Sequence, residues 1–471
     1  MAKYEQLALQ LREQIQAGIW QVDEKLPSLR QKARQSGFSL MTVLNAYQLL
    51  ESQGWIISRP QSGYFVAPQK EAGTYTKPEQ KLLLAEDIDI NEFIFNVLQT
   101  SKSPEFVSFG SAFPDPALFP QHQLARSLSR VARHMTPAST IVNLPPGSDR
   151  LRRSIAKRYA AQGMDISPDE IVITSGALEA LNLSLQSLTR PGDWVVVESP
   201  AFYGALQAIE HNRLKAVAVA THPQQGIDLD ALEQALIQYP IKACWLMTNF
   251  QNPLGCTLSR ENKQRLVKLL AQHRVGLIED DVYSELYFGA ERPLPAKAWD
   301  SGGNVLHCSS FSKTLATGFR IGWVAAGKHA EHIQRLQLMS TLSTSAPMQL
   351  ALTDYLMTGS YDKHLRTVRR LLEQRKNAFY QAIRRYFPPG TAVNYSDGSY
   401  FLWITLPGGI CTTRLYWHAL EDGISIAPGR MFSAGEQYRH CFRLNASCPW
   451  DSRSESAIKR LAELIIQGDG D

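Results

Sequence analysis

The chain of 471 residues has few cysteines, no long apolar run and little excess of either charge. Its six cysteines show no Cys-x-x-Cys spacing, which argues against a zinc site or a disulfide framework and fits a reducing cytoplasm. No run of about eighteen apolar residues predicts a membrane span, and the charged, amphipathic start does not resemble a signal peptide. The 49 basic and 44 acidic residues leave a net charge of +5, so charge alone does not indicate nucleic acid. We therefore expect a cytoplasmic protein of about three domains.

Residues 1–68 predict three helices followed by a hairpin. The first apolar residues recur at the spacing of one buried helix face: Leu7, Leu11, Ile15 and Ile19. Ser28 and Ser39 stand where they can cap the second and third helices. Two β-rich runs on either side of a Pro/Gly turn then predict a hairpin. This order of elements is typical of a winged helix-turn-helix domain.

Basic residues favour DNA over a merely structural role for this domain. One stretch around the predicted second helix carries four cations and no acid: Lys25, Arg30, Lys32 and Arg34. Arg59 and Gln61 lie on the predicted wing, where a phosphate or minor-groove contact would fall. The alternative is a small helical packing domain, because residues 1–68 hold only seven basic against five acidic side chains.

The order of motifs closely resembles the N-terminal domain of GntR-family regulators: LPSLR, TVLNAYQLLESQGWI and RPQSGYFVAP. The resemblance implies that Arg30 contacts phosphate and that Ser39 and Thr42 approach the major groove. Gly63 matches the glycine of the wing. Leu40 stands where the family commonly has arginine, and leucine can pack on a thymine methyl but cannot read guanine through two hydrogen bonds. The implied partner is promoter or operator DNA.

Residues 69–90 are polar and interrupted by Pro and Gly, and they predict a linker. Beyond the linker, strand-like runs alternate with helical ones: 171–176, 194–200, 243–249, 275–281, 305–311 and 321–327. This alternation predicts an α/β fold with a mostly parallel sheet that is covered by helices. Ligands of such sheets bind at the carboxyl ends of the strands, so polar residues there are site candidates.

Lys313 ends the motif Ser-Ser-Phe-Ser-Lys, with Arg320 seven residues later and the pair Asp280 and Asp281 about thirty residues before it. An amine, a fixed cation, hydroxyls and an acid are the groups needed to hold pyridoxal phosphate. The glycine turn at Gly176 runs from a predicted strand into a helix and predicts an anion seat. Each feature alone is more often a turn, a cap or a core residue. Their order along one sheet indicates a site.

Residues from about 105 to the end resemble the fold type I aminotransferases, which use pyridoxal phosphate. With the GntR-like domain in front, the whole chain resembles the MocR/PdxR subfamily of transcriptional regulators. The resemblance implies a mostly parallel seven-stranded sheet within residues 91–471. It also implies a small α+β subdomain at about 345–471.

The resemblance implies a role for each matching residue of the cofactor site. Lys313 forms the Schiff base, and Asp280 pairs with the pyridine nitrogen. The family's Asp-x-x-Tyr spacing selects Asp280 over its neighbour, with Tyr283 and Asn252 on the phenolic oxygen. Phe202 takes the place of the aromatic residue that stacks on the ring. The phosphate ligands are Ser175, Gly176, Ala177, Ser310, Ser312 and Arg320.

Arg443 matches the arginine that binds a substrate carboxylate in aminotransferases, whereas two departures weaken the catalytic interpretation. Val142 replaces a tyrosine that, in related chains, reaches the phosphate of the partner subunit. Ala112-Phe113-Pro114-Asp115 replaces the family's Gly-x-Pro-Asp turn on the substrate side. We therefore predict a homodimeric regulator that senses pyridoxal phosphate or an amino compound. One alternative is an active aminotransferase with an appended DNA-binding domain, and another is a dimeric scaffold whose cofactor is purely structural.

Overall fold

The computed structural model describes the following residues: 3–59, 62–67, 90–100, 103, 105–141 and 143–467. The chain divides into two compact units, Met1–Ala72 and Gly73–Asp471. Gln61, Val142 and the predicted linker up to residue 89 lie outside the described residues. The last residue of that predicted linker, Ile90, begins a helix.

The N-terminal unit is a winged helix-turn-helix, as predicted. Its elements are α1 Lys3–Gln16, α2 Leu29–Ser36, α3 Leu40–Ser52, β1 Ile56–Arg59 and β2 Gly63–Val66. Ser28 Oγ accepts a hydrogen bond from the Gln31 N–H at 3.3 Å, and Ser39 Oγ accepts one from the Thr42 N–H at 3.2 Å. Both predicted caps are therefore present, and β1 pairs antiparallel with β2.

The predicted buried face of α1 is correct except at its last position. Leu7, Leu11 and Ile15 are buried in the core of the unit, where they pack with residues of α3. Ile19 is 63% exposed. The helix ends at Gln16 before Ile19 is reached, and Gly18 adopts a positive φ of 73° that no longer follows the helix.

The second unit contains a large sheet, a smaller sheet and helices against both. Its strands are β3 Val107–Ser108, β4 Ile171–Thr174, β5 Trp194–Ser199, β6 Lys215–His222, β7 Gly226–Ile227, β8 Ile241–Leu246, β9 Gly276–Asp280, β10 Val305–Ser310, β11 Gly322–Ala325, β12 Ala392–Asn394, β13 Phe401–Thr405, β14 Ile424–Ser425, β15 Ala427–Pro428 and β16 Cys441–Asn445. Its helices are α4 Ile90–Thr100, α5 Gln121–Ala132, α6 Ala138–Ile141, α7 Asp149–Ala160, α8 Ala177–Leu188, α9 Tyr203–His211, α10 Leu229–Gln238, α11 Arg260–His273, α12 Ala330–Ser340, α13 Ala346–Met357, α14 Ser360–Tyr386, α15 Thr412–Glu421 and α16 Ser452–Gln467.

The large sheet has the order β4-β11-β10-β9-β8-β5-β6-β7. Neighbouring strands are parallel, except that β11 is antiparallel to β10 and β4, and the two-residue β7 is antiparallel to β6. The mostly parallel sheet is therefore confirmed, with seven strands and a short additional edge strand. The six strand-like runs of the sequence all form strands, whereas β6 lies outside those runs and was not predicted. The sheet brings the ends of β4, β5, β8, β9 and β10 to one edge.

The smaller sheet has the order β12-β13-β16-β15 and packs with the C-terminal helices. Ile94 and Val97 of α4 are buried in the same apolar cluster, together with Phe109. The core of the small subdomain therefore includes residues that precede the large sheet in sequence, in addition to the predicted range of about 345–471. None of the described helices is both long and apolar enough to cross a membrane.

Candidate functional site

Lys313 lies in the loop after β10, and its amine points at the turn that precedes the large sheet. Its Nζ donates a hydrogen bond to the Ala112 carbonyl at 2.7 Å and lies 4.7 Å from the centre of the Phe113 ring. Burial, together with the nearby Arg443, lowers the pKa of Lys313 to about 7, although Asp280 partly opposes the shift. Near neutral pH a substantial fraction of this amine is therefore uncharged and nucleophilic.

Asp280 ends β9 at the same edge of the sheet. Its side chain is buried, and its Oδ1 has no hydrogen-bond partner among the described residues. Burial and the neighbouring Asp281 raise the pKa of Asp280 to about 7, although Lys313 lowers it in part. A buried acceptor oxygen without a donor is costly. It suits a ligand that brings its own N–H, such as a protonated pyridine.

Asp281 has a different environment, although it is adjacent in sequence. Its carboxylate accepts hydrogen bonds from Asn249 Nδ2 at 2.9 Å and from Ser284 Oγ at 2.6 Å, and it lies 3.0 Å from His307 Nε2. Burial alone would raise its pKa, but His307 and the other partners outweigh burial and lower the pKa of Asp281. Both carboxylate oxygens of Asp281 therefore have partners in the protein, whereas Asp280 Oδ1 has none among the described residues.

The predicted phosphate ligands come together where β4 leads into α8. Arg320 Nη2 donates to the Ser175 carbonyl at 3.1 Å, and Arg320 Nη1 lies 3.5 Å from Ser312 Oγ. Gly176 has a φ of +96°, and a Cβ at this position would lie 2.5 Å from Arg320 Nη2, so a side chain here would displace the arginine. Ala177 is the first residue of α8, whose amino end favours an anion. The Ser175 N–H donates to the Glu179 carboxylate, so the Ser175 hydroxyl is the group that remains to bind a phosphate.

Ser310 and Ser312 complete this group of residues. Both are buried, and the Ser312 N–H donates to Ser310 Oγ at 3.3 Å. Phe202 lies elsewhere along the edge, immediately before α9, with its ring centre 4.8 Å from that of Tyr203. The Phe202 ring also fills the space beside Gly204, where a Cβ would lie 2.5 Å from the ring.

Arg443 of β16 is fully buried beside these residues. Its Nη1 donates to Asn252 Oδ1 at 2.8 Å and its Nη2 donates to the Gly110 carbonyl at 2.7 Å. Its Nε has no hydrogen-bond partner among the described residues, and its guanidinium carbon lies 4.3 Å from the centre of the Phe401 ring. Burial lowers the pKa of Arg443, while the nearby tyrosines Tyr203, Tyr283 and Tyr400 oppose the shift. The predicted carboxylate ligand and the predicted cofactor ligand Asn252 are thus in direct contact.

Two further side chains at this site carried no signal in the sequence. Tyr400 donates through its hydroxyl to the Ala112 carbonyl at 3.0 Å, so one carbonyl accepts from both Tyr400 and Lys313. The Tyr400 ring lies 5.8 Å from that of Tyr283, which is buried. Glu198 at the end of β5 is buried, and burial raises its pKa to about 8. The contact between Tyr400 and Ala112 joins residues 288 positions apart, which no local pattern shows.

The predicted DNA contacts lie on the surface of the N-terminal unit. Arg30 on α2 is exposed, and Leu40 at the start of α3 is 49% exposed. Ser39 Oγ and Thr42 Oγ1 are 2.8 Å apart, so these two hydroxyls contact each other at the amino end of α3. This end of α3 therefore presents an apolar side chain beside two hydroxyls, which can pack on a thymine methyl and hydrogen-bond to base edges.

Arg59 and Gly63 lie on the two strands of the wing and face each other in the β1–β2 register. Arg59 forms an ion pair with Asp23, and its guanidinium carbon lies 4.3 Å from the centre of the Phe65 ring. Gly63 has a φ of +101°, which only glycine adopts readily. A phosphate contact by Arg59 therefore competes with its pairing to Asp23.

Comparison with known proteins identifies the families to which the two units are similar. The family model for bacterial regulatory proteins of the gntR family matches residues 3–66, and that for aminotransferase class I and II matches residues 118–461. The uncharacterized HTH-type transcriptional regulator YdcR of Escherichia coli (strain K12) is 61% identical over 465 residues, which cover 99% of each chain. The chain belongs to the MocR-like subfamily of GntR-type regulators.

Solved aminotransferases have the same fold as the second unit of this MocR-like chain. The multiple substrate aminotransferase from Thermococcus profundus matches with a TM-score of 0.74 and 26% identity, over 81% of this chain and 100% of that one. LysN, the alpha-aminoadipate aminotransferase of Thermus thermophilus, was solved with N-(5'-phosphopyridoxyl)-L-leucine. It matches with a TM-score of 0.73 and 27% identity, over 80% of this chain and 95% of that one. The predicted fold type I architecture is confirmed.

Proposed function

We propose that this protein is a transcriptional regulator that binds DNA through its N-terminal unit and holds pyridoxal phosphate in its second unit. The observation that carries the proposal is a set of cofactor-binding groups in a chain that also has a winged helix-turn-helix unit. These groups are a partly neutral amine, a buried acceptor oxygen without a donor, and an arginine beside a glycine turn: Lys313, Asp280, Arg320 and Gly176. Its resemblance to YdcR, which is named as an HTH-type transcriptional regulator, supports the same conclusion.

Each residue of the site has a distinct task in this proposal. When bound, pyridoxal phosphate supplies an aldehyde that reacts with amines and a ring that withdraws electrons. Lys313 provides the amine that attaches the cofactor, and Asp280 keeps the pyridine nitrogen protonated. Arg320, with the amino end of α8 and the hydroxyls of Ser310 and Ser312, holds the phosphate.

Arg443 indicates the chemistry of the effector. A guanidinium held in place by Asn252 and the Gly110 carbonyl is oriented before any ligand arrives, and it suits a carboxylate. We therefore propose that the regulator senses an amino acid or a related amino compound, or the cofactor itself. As in related aminotransferase folds, the working form would be a homodimer, and its place of action would be the cytoplasm, where its DNA is.

The test is DNA affinity measured at one stated salt concentration, because phosphate contacts make affinity strongly salt-dependent. DNA containing the promoter region of the protein's own gene would be titrated with cofactor-free protein, with protein loaded with pyridoxal phosphate, and with loaded protein plus each of a panel of amino acids. We expect at least one of these additions to change the affinity severalfold. The same affinity in every arm would refute sensing while leaving DNA binding itself intact.

An active aminotransferase is the second candidate, and the pKa of Lys313 favours it. An amine with a pKa of about 7 can both accept and return a proton near neutral pH, as transamination requires. The discriminating measurement is the absorbance of the loaded protein after an amino acid is added without a keto acid. Loss of the visible band with formation of a keto acid would establish turnover. An unchanged band with every amino acid of the panel would exclude transamination of these amino acids and leave regulation as the supported function.

A further inference from the structure

The second unit contains a cavity of about 980 Å³ that is separate from the cofactor ligands. It lies among α7, the segment that follows β9, and the first half of α14. Its walls carry six cationic side chains and three carboxylates. A concave surface with such an excess of one sign concentrates its electric field and attracts the opposite charge.

The inner wall of the cavity is built around one carboxylate. Glu285 accepts hydrogen bonds from Arg158 at 2.9 Å, from Arg292 at 2.9 Å and from Arg369 at 3.3 Å. The side chains of Arg292 and Arg369 are each only 17% exposed. Burial would raise the pKa of Glu285, but the guanidiniums, Arg292 first, outweigh burial and lower it. Glu285 is thus shared by three guanidiniums with little access to water. Two of them also face a second carboxylate: Arg158 lies 3.0 Å from Asp362, and Arg292 lies 3.8 Å from Asp281.

The rim of the cavity adds further positive charge. Arg366 and Arg370 lie four residues apart on α14, and Lys157 lies on α7; all three are exposed. None of the three forms an ion pair with another described residue. Like charges at this spacing on a helix cost it a few tenths of a kcal/mol. The charge excess therefore does not stabilise the fold locally, whereas an anion in the cavity would neutralise it.

We propose that this cavity is a binding site for a small anion with a diphosphate or polyphosphate group. The excess of three positive charges matches the charge of such a group, and guanidinium groups bind phosphate oxygens through pairs of hydrogen bonds. Arg369 and Arg292 contact the part of the anion nearest Glu285, and Arg366, Arg370 and Lys157 contact the outer phosphate. The volume is that of a site for a small molecule. This inference is independent of the function proposed above.

Isothermal titration calorimetry of the full chain with inorganic pyrophosphate tests the proposal. The protein is first saturated with pyridoxal phosphate, so that the predicted phosphate seat at Arg320 is filled. We expect saturable binding by the wild-type protein. The double substitution Arg366→Gln with Arg370→Gln should weaken it about a hundredfold, because it removes two hydrogen bonds to a charged group.

Two matched controls locate the site. Arg335→Gln removes a similarly exposed arginine from α12 and should leave pyrophosphate binding unchanged. Arg30→Gln removes a predicted phosphate contact of the N-terminal unit and should also leave it unchanged. Lys157→Gln, on a different helix from the double variant, should weaken binding by itself. The proposal is overturned if the wild-type protein shows no saturable heat, or if both the double variant and Lys157→Gln bind as tightly as the wild-type protein.

Discussion

Arg30 in the N-terminal unit and Arg443 in the aminotransferase-like unit are both predicted to bind an anion, but their surroundings differ. Arg30 is exposed on α2. Arg443 is fully buried and is held by Asn252 and by the Gly110 carbonyl. An exposed contact acts only through its partner, so its loss should leave the protein folded. A buried contact is part of a network, so its loss disturbs binding and stability together.

The largest expected effect is that of Lys313→Ala. This substitution removes the amine to which pyridoxal phosphate attaches, so the visible absorbance band of the attached cofactor should be absent after loading and gel filtration. Lys328→Ala, at an exposed lysine that contacts Gly302 and Asn304, should retain the band. A band of wild-type intensity in Lys313→Ala would show that the cofactor is attached elsewhere.

Asp281→Asn and Asp280→Asn should separate a structural from a cofactor-binding acid. Asp281 joins Asn249, Ser284 and His307, so its replacement should cost about 3–5 kcal/mol of unfolding free energy. Asp280 has an oxygen without a donor, so at pH 5, where its carboxyl is protonated, Asp280→Asn should be as stable as wild type. The spectrum of the loaded protein should nevertheless change. Urea unfolding and absorbance measure the two effects, and the reverse pattern would assign the cofactor to Asp281.

In cofactor-free protein, the pH dependence of stability should reveal the titration of two buried groups, Asp280 and Lys313. The pKa of Asp280 is raised to about 7, so its stabilising contribution is full below pH 4 and is lost as pH rises to 7. The pKa of Lys313 is lowered to about 7, so its contribution is full above pH 10.5 and is lost as pH falls to 7. The two groups together predict a stability minimum near pH 7.

Urea midpoints between pH 5 and 9 measure this dependence. Between pH 5 and 7 the Asp280 contribution should fall by about 2–3 kcal/mol, and Asp280→Asn should remove that fall. If the variant and the wild type lost stability in parallel over this interval, Asp280 would not be the titrating group.

The smallest expected effect is that of replacing Arg30, the exposed arginine of the N-terminal unit. Arg30→Gln should weaken DNA binding about equally for all DNA sequences and reduce the slope of log affinity against log salt by about 1. Its thermal stability should match that of the wild type. A base-specific loss of affinity, seen with only some operators, would instead place Arg30 at a base edge.

The sequence predicted most of the fold because caps and strand periodicity are local. Ser28 and Ser39 cap the helices that they were expected to cap, and the strand-like runs form the large sheet. The exceptions are positions where local pattern and chain geometry disagree. Ile19 continues the apolar spacing of α1 but lies beyond Gly18, where the helix has already ended.

The candidate site was predicted less completely, since its residues depend on contacts between distant parts of the chain. The motif around Lys313 marks its own position, but the partner of its amine is a backbone carbonyl, which any residue type provides. Tyr400 had no motif of its own. The engagement of Asp281 with His307 depends on the pairing of β9 with β10. The pairing of Arg59 with Asp23 also joins separate elements, across 36 residues.

The 27-residue helix α14 contributes residues both to the anion cavity and to the surroundings of Lys313. It spans about 40 Å, and the first half carries the rim arginines of the anion cavity. Further along, Arg375 donates to the Asp115 carboxylate at 2.9 Å, in the turn whose Ala112 carbonyl accepts from Lys313. Arg366 and Arg375 lie on this one helix, roughly 14 Å apart along its axis. The anion cavity and the turn beside Lys313 therefore share one structural element.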